Sequence, residues 1–312
     1  MRTVLDAVAA FWDYLASVQP LPLAIAVGCH IAQTICTSRA WRNVLAAAYP
    51  GTRVRWPAVY AAYIAGVGVN AIFPARAGDV VRLTMAHRAV KGSSYTTLVS
   101  SSVVLANVDA VCALSLLSWA ITQGVLPSLG ALPSLPSLDF HWLLGHPRVG
   151  EIVLLAVVFG LVAAMVWVRS RVAEFRDRVA RAFTILRTPA RWLRTVVAWQ
   201  LADWSLRLAT IWFMLDAFGI PRSPRTVLLV QAAQSLATLL PVSPGGVGTE
   251  QALLVFTLRG AAPRTALLAF SVGMRLTLTV VNVVLGFAAI LITVRTLRIR
   301  NLRRPAEGPE SR

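Results

Sequence analysis

Charged residues are scarce in this sequence, and acidic residues are the scarcest among them. Only 14% of the 312 residues are charged, and 13 Asp and Glu stand against 30 Lys and Arg. A soluble domain carries about a quarter charged residues, so this composition excludes an ordinary soluble protein. Lysine occurs once, at Lys91, and the other basic residues are arginines.

Cysteine and histidine are also rare, with three and four residues. Cys29, Cys36 and Cys112 fall in apolar segments, which is typical of buried small hydrophobic residues rather than of disulfides. The histidines show no spacing typical of metal ligands, so we expect no metal and no cofactor. The loop 121–149 holds a single acidic residue, Asp139. It therefore offers no carboxylate pair for acid–base catalysis, and we expect no enzyme active site.

What the sequence has in abundance is long apolar runs. Hydrophobic residues make up 57% of the chain, and its mean hydropathy is +0.66. Runs of roughly 18 residues or more are long enough to cross a hydrocarbon core. We therefore predict an all-α, polytopic integral membrane helical bundle. Its full spans are expected near residues 21–38, 95–120, 150–168, 195–219 and 263–293.

The arginines are placed between and beyond the apolar runs, which indicates membrane orientation. Residues 169–194 contain eight arginines, and the tail from Arg295 onward is also basic. Both segments are predicted to be cytoplasmic, and the nearly neutral loop 121–149 fits the outer side. The net charge of +17 is thereby explained without nucleic acid, which we do not expect as a partner.

The apolar pattern divides the chain into three regions. Residues 3–18 show the pattern of a short amphipathic helix that lies on a membrane surface. We therefore assign an interfacial helix to residues 1–20, a membrane domain to 21–294 and a basic cytoplasmic tail to 295–312. This arrangement predicts a multi-pass protein of the cell membrane with a cytoplasmic C-terminus.

Two further apolar stretches, 57–74 with its continuation and 226–258, are shorter and are broken by glycine and proline. Both flanks of 57–74 are basic, which conflicts with a full span. A re-entrant segment that enters and leaves on the cytoplasmic side removes this conflict, and a second one from the outer side makes the other spans alternate. Irregular backbone at membrane depth requires protein or water around it, so the breaks predict a cavity. Seven or eight ordinary spans are the alternative.

The two breaks also resemble each other. Placing Pro74 on Pro241 puts Gly78 on Gly245, and a weaker similarity continues downstream. Three predicted spans separate the breaks, so the second copy would be inverted relative to the first. Paired breaks in inverted halves are typical of transporter binding sites near the middle of the bilayer.

Ionisable residues inside the predicted spans are candidates for binding a substrate, because each costs about 2.5–3.5 kcal/mol to insert. Asp203 and Arg207 are four residues apart, so they form either a structural ion pair or part of a binding site. Arg275 has no acidic neighbour within two helical turns. Its charge requires an anionic lipid headgroup or a partner on another helix, for which Asp109 is the candidate.

Each break adds candidate substrate-binding residues. If a helix starts after Pro74, then Arg76, Asp79 and Arg82 lie on one face near Asn70. The arginines could hold a phosphate there, or could lie in the headgroup layer of the bilayer. The remaining candidates of the breaks are Gly78, Pro244, Gly245, Gly246, Gly248, Glu250 and Gln251. We expect a half-helix to begin near Thr249 and to point Glu250 and Gln251 into the cavity.

Four features of the sequence form a combined pattern. They are the residues from Asn70 to Arg82, Asp109 deep in an apolar run, the segment from Pro241 to Glu250, and Arg275 deep in the last apolar run. This pattern resembles the lysylphosphatidylglycerol synthase transmembrane family, which includes the flippase-like region of the multiple peptide resistance proteins. The resemblance covers roughly residues 20–295. It implies a helical membrane fold with re-entrant elements and a role in lipid translocation or in handling lipid-linked substrates. By the match, these residues fall on signature positions: Arg76, Gly78, Asp79, Arg82, Pro244, Gly245, Gly246, Gly248 and Glu250.

We therefore expect a flippase-like transporter that moves an anionic phospholipid or a polyprenyl-phosphate-linked lipid between leaflets. No ATP-binding motif is evident, so transport would be passive or coupled to protons or to the membrane potential. The alternatives are an integral membrane transferase and an accessory subunit of a separate lipid-modifying enzyme. The full-length synthases carry a soluble aminoacyltransferase domain, whereas a short basic tail follows the last apolar run here. We expect no synthesis of aminoacylated lipid by this chain.

Overall fold

The computed structural model describes residue 13 and residues 16–73, 77–122, 179–239 and 248–302. Within these ranges the chain is helical and contains no β-strand. Several predictions lie outside the described residues, namely the interfacial helix over most of its length, the span at 150–168 and the end of the tail. The same is true of four candidate residues, Arg76, Pro244, Gly245 and Gly246.

The helices of the described residues follow the predicted apolar runs. They are α1 (Pro20–Ala48), α2 (Trp56–Ile72), α3 (Ala77–Ala89), α4 (Tyr95–Thr122), α5 (Pro189–Trp192), α6 (Ala198–Ala217), α7 (Pro224–Leu239), α8 (Thr249–Thr257) and α9 (Arg264–Leu302). A π-helical turn, Leu193–Val197, joins α5 to α6, and a 3₁₀ turn, Thr184–Arg187, precedes α5.

Three helices of the described part are long and apolar enough to cross a membrane, namely α1, α4 and α9. These helices confirm the predicted runs at 21–38, 95–120 and 263–293. Helix α6 has 20 residues, but its three charged residues lower its hydropathy. Helix α2 has 17 residues and is therefore roughly 25 Å long, which is less than the thickness of a hydrocarbon core.

Helices α2 and α3 form an antiparallel hairpin whose two ends meet the neighbouring helices. At its open end the Tyr49 hydroxyl, just after α1, accepts the backbone N–H of Ser94, just before α4 (3.0 Å). At its closed end the Asn70 side chain contacts the start of α3. The chain thus leaves α1 and enters α4 at the same end of the bundle.

Glycines bring α2 very close to both of its neighbours. A Cβ atom added to Gly78 of α3 would lie 2.0 Å from the carbonyl oxygen of Gly66. On the other side of α2, a Cβ atom added to Gly68 would lie 2.7 Å from the Cα atom of Gly286 in α9. Small residues allow such close backbone contact between membrane helices. Helix α2 is therefore held between α3 and α9 by backbone packing.

The order of helices is the same on both sides of residues 123–178. In each part a long helical segment is followed by two shorter helices and then by another long helix. The first segments begin at Pro20 and Pro189, 169 residues apart, and the final helices begin at Tyr95 and Arg264, again 169 residues apart. The packing is reciprocal, since α2 contacts α9 and α7 contacts α4.

The apolar core and the outer surface are clearly separated on α9. Phe270 and Met274 are buried in a core shared with α6, α7 and α8. Leu276, Val280 and Val284 follow at intervals of four residues and are exposed by 59%, 52% and 61% of their surface. We call these three residues the outer stripe of α9. An exposed apolar stripe on a helix of this length is typical of a surface that faces lipid.

Candidate functional site

A cavity with a volume of about 700 Å³ lies between α1, α2, α3, α4 and α6. We call it the first cavity. The charged side chains that line it are Asp79, Arg82, Asp109, Asp203 and Arg207. All five are residues that the sequence predicted as candidates, and the structure brings them together from three helices.

Arg82 is held against one wall of the first cavity by three neighbours. Its Nη2 atom donates to Ser102 Oγ of α4 (3.2 Å) and lies 3.6 Å from Asp79 Oδ1, one turn earlier in α3. Its guanidinium carbon lies 5.2 Å from the centre of the Trp41 ring, within range of a cation–π contact. Asp79 and Arg82 lie on one face of α3, as their three-residue spacing predicted, and both line the first cavity.

Asn70 joins the end of α2 to the start of α3. Its Oδ1 atom accepts the backbone N–H of Gly78 (2.7 Å), and its Nδ2 atom is 3.4 Å from Asp79 Oδ1. Since α3 begins at Ala77, the Gly78 N–H is one of the groups that have no partner within the helix. The asparagine therefore supplies a side-chain cap across the break.

Arg207 of α6 lies at the centre of a second charged group in the first cavity. Its Nη2 atom donates to Asp203 Oδ2 (3.0 Å) and lies 3.5 Å from Asp109 Oδ1. Asp203 is 2% exposed and also accepts the Thr37 hydroxyl (2.5 Å), while Asp109 accepts the Trp204 indole N–H (2.9 Å). The ion pair between Asp203 and Arg207 of α6 is thus present, and it extends to Asp109 of α4.

A second cavity, of about 390 Å³, lies between α2, α7, α8 and α9. Here Arg275 Nη1 donates to Glu250 Oε2 (2.5 Å), and Gln234 Nε2 donates to Glu250 Oε1 (3.1 Å). The prediction that Asp109 pairs with Arg275 was wrong, because α4 turns Asp109 into the first cavity. The acidic partner comes instead from the first turn of α8, where the helix N-terminus also favours a carboxylate.

The start of α8 agrees with the sequence in one respect and differs in another. The helix begins at Thr249, as predicted, after Gly248, whose φ of +87° favours glycine. Glu250 lines the second cavity as expected. Gln251, however, turns back, and its Oε1 atom accepts the N–H of Gly248 (2.7 Å). Gln251 therefore caps its own helix.

The two cavities share one lining residue, Asn70. Every described arginine that lines them contacts a carboxylate. Among the described residues, two arginines and three aspartates line the first cavity, and one arginine and one glutamate line the second. A guanidinium has five N–H donors, so a carboxylate contact leaves others for a ligand.

Several polar residues of the site were not predicted from the sequence. Thr37 and Ser102 bind the charged side chains of the first cavity, and Gln234 binds Glu250 in the second. Asn282 also lines the second cavity, and its Oδ1 atom is 2.8 Å from His30 Nε2 of α1. Their signal in the sequence is a single uncharged polar residue within an apolar run, which does not reveal the direction of the side chain.

An all-helical chain with membrane-length helices and charged cavities beside two helix breaks is a polytopic membrane protein. The family model described as "Lysylphosphatidylglycerol synthase TM region" matches residues 4–286 of this chain. The protein therefore belongs to that family, as the pattern of its two breaks predicted. Comparisons with curated proteins and with solved structures found no significant match.

Proposed function

We propose that this protein moves a lipid with a phosphate-bearing headgroup, either a phospholipid or a polyprenyl-phosphate-linked lipid, between the two leaflets. One observation carries the proposal: two charged cavities lie beside the two helix breaks and share Asn70. Ionisable residues at membrane depth generally mark the path of a polar or charged substrate. In this proposal the protein acts as a transporter rather than as an enzyme.

The phosphate would be held in the first cavity by Arg82 and Arg207. Each guanidinium contacts a carboxylate through one Nη atom, which leaves further N–H groups available for phosphate oxygens. The three aspartates of this cavity keep the arginines oriented and weaken their hold on the phosphate. A transported headgroup has to leave its site again, so such compensation favours transport over permanent binding.

We further propose that the α2–α3 hairpin is re-entrant. Its open end lies beside the junctions with α1 and α4, and α2 is shorter than a full span. Ile72 and Phe73, at its closed end, are apolar and about half exposed, which suits a position within the membrane. The repeated order of helices and the reciprocal packing of α2 and α7 support a corresponding inverted pair, α7 and α8, in the second part.

The proposal is tested by measuring lipid transfer between leaflets of proteoliposomes with fluorescent phosphatidylglycerol. Arg82→Gln is expected to slow transfer about tenfold, since one charge-assisted hydrogen bond contributes roughly 1.5–3 kcal/mol. Arg222→Gln is the matched control, because Arg222 also pairs with an aspartate, Asp216, but lines neither cavity. Absence of transfer by the unaltered protein, with phosphatidylglycerol and with polyprenyl phosphate, would refute the function. Equal rates in Arg82→Gln and Arg222→Gln would refute the site.

A further inference from the structure

The outward face of α4 runs into the first cavity. Tyr95, Val111 and Leu114 mark this face, with 49%, 64% and 60% of their surface exposed. Val99 and Val103 lie on the same face and are exposed by 49% and 48%, yet both also line the first cavity. The cavity is therefore bordered by apolar side chains that belong to the outer surface of the bundle.

This apolar border lies next to the polar wall of the cavity. Ser102, which accepts the hydrogen bond from Arg82, is the residue beside Val103 in α4 and lies one turn from Val99. On the facing helix α3, Val80 is 67% exposed and is adjacent to Asp79 in the chain. Ser102, the hydrogen-bond partner of Arg82, is thus separated from the exposed Val99 by one helical turn, which is about 5–6 Å between Cβ atoms.

The second cavity lacks such a border among its described lining residues. Its apolar lining includes Met274, which is 1% exposed, and Leu278, which is partly buried. The outer stripe of α9 is as exposed as the valines of α4, but none of its three residues lines either cavity. Of the described apolar residues that line the two cavities, Val99 and Val103 of α4 thus belong to the exposed outer face as well.

We propose that the first cavity opens laterally beside Val99 and Val103 of α4, and that this lateral opening takes the acyl chains of a lipid whose phosphate occupies the cavity. Val99 and Val103 contact the chains near the glycerol, and Arg82 contacts the phosphate. The ligand class is an amphiphile with a phosphate headgroup, since this arrangement places one polar anchor beside one exit to the apolar surface. The inference rests on the proposed function for its choice of a lipid as ligand, but it concerns binding rather than transfer.

The test places the photoreactive residue p-benzoyl-phenylalanine at Val99 or Val103, with Val280 and Val284 as matched controls. The full-length protein is reconstituted into vesicles of phosphatidylglycerol and digalactosyldiacylglycerol in equal amounts and with the same acyl chains. After irradiation, mass spectrometry gives the ratio of the two lipids attached at each position. The valines of the outer stripe report the lipids that surround the protein, because their exposure is similar and they line neither cavity.

At Val99 and Val103 we expect phosphatidylglycerol to be attached in preference to the phosphate-free lipid, whereas the control positions give the ratio of the bilayer. In the Arg82→Gln background this preference is expected to fall about tenfold, the effect of one charge-assisted hydrogen bond. The Arg82→Lys variant retains part of it, which separates loss of charge from loss of folding.

An identical lipid ratio at all four positions would overturn the proposal. So would attachment of Val99 or Val103 to another segment of this chain, such as residues 150–168. The labelling experiment does not require transfer between leaflets. Preferred labelling without lipid transfer would therefore support the lateral opening and refute the transport function. Lipid transfer without preferred labelling would support the transport function and refute the lateral opening.

Discussion

Replacing Gly78 by alanine should force α2 and α3 apart at the closed end of their hairpin. The added Cβ atom would lie 2.0 Å from the Gly66 carbonyl oxygen and 2.8 Å from the Asn70 side chain. The first neighbour is a backbone atom, and the second belongs to a side chain that already binds the Gly78 N–H. Neither can move away from the added Cβ atom without displacing α2. Overpacking costs about 1–3 kcal/mol and loss of the hydrogen bond about 0.5–1.5 kcal/mol. We expect the free energy of unfolding to fall by roughly 2–4 kcal/mol.

The measurement is thermal unfolding of the purified protein in detergent, with Gly28→Ala as the control. Gly28 lies within α1, and a Cβ atom added there meets nothing within 4 Å. Alanine is the better helix former by about 1 kcal/mol, so this variant should unfold at the same or at a higher temperature. If Gly78→Ala unfolds at the same temperature as the unaltered protein, the close contact between α2 and α3 does not exist in solution.

Two other predictions concern the second cavity and the topology. Arg275→Gln leaves Glu250 partly buried beside an uncharged partner and should lower the free energy of unfolding by about 1–3 kcal/mol. Combining it with Glu250→Gln should restore more than half of that loss in thermal unfolding, and a double variant as unstable as the single one would contradict the pairing. Cysteines placed at Arg55 and Lys91, at the open end of the α2–α3 hairpin, should both react with a membrane-impermeant reagent from the cytoplasmic side in inverted vesicles. Reaction from opposite sides would refute a re-entrant hairpin.

The long helices could be predicted from the sequence because an uninterrupted apolar run is a local property. Helices α1, α4 and α9 were found in this way, and so was the start of α8, which follows from the conformational freedom of Gly248. Charged residues within apolar runs were equally visible, since their insertion is unfavourable wherever the helix packs. These local signals gave the charged residues that line both cavities.

The partners of these charged residues could not be predicted in the same way. Asp109 was the candidate side-chain partner of Arg275, beside a lipid headgroup as the alternative. The partner depends on which helix faces Arg275, and that helix is α8 with Glu250. The close contacts of α2 could not be predicted for the same reason, because they too depend on which helices pack together. Glycines are common in membrane helices, so the sequence did not indicate that Gly66 would meet Gly78 or that Gly68 would meet Gly286. Such pairings are decided by tertiary packing.

Helix α2 forms a common wall, since residues on it line both cavities and its neighbours α3 and α9 touch it through glycines. Contact through glycines leaves no space between the backbones, so α2 cannot approach α3 or α9 more closely. Because α2 bounds both cavities, any movement of this helix would change the volumes of both.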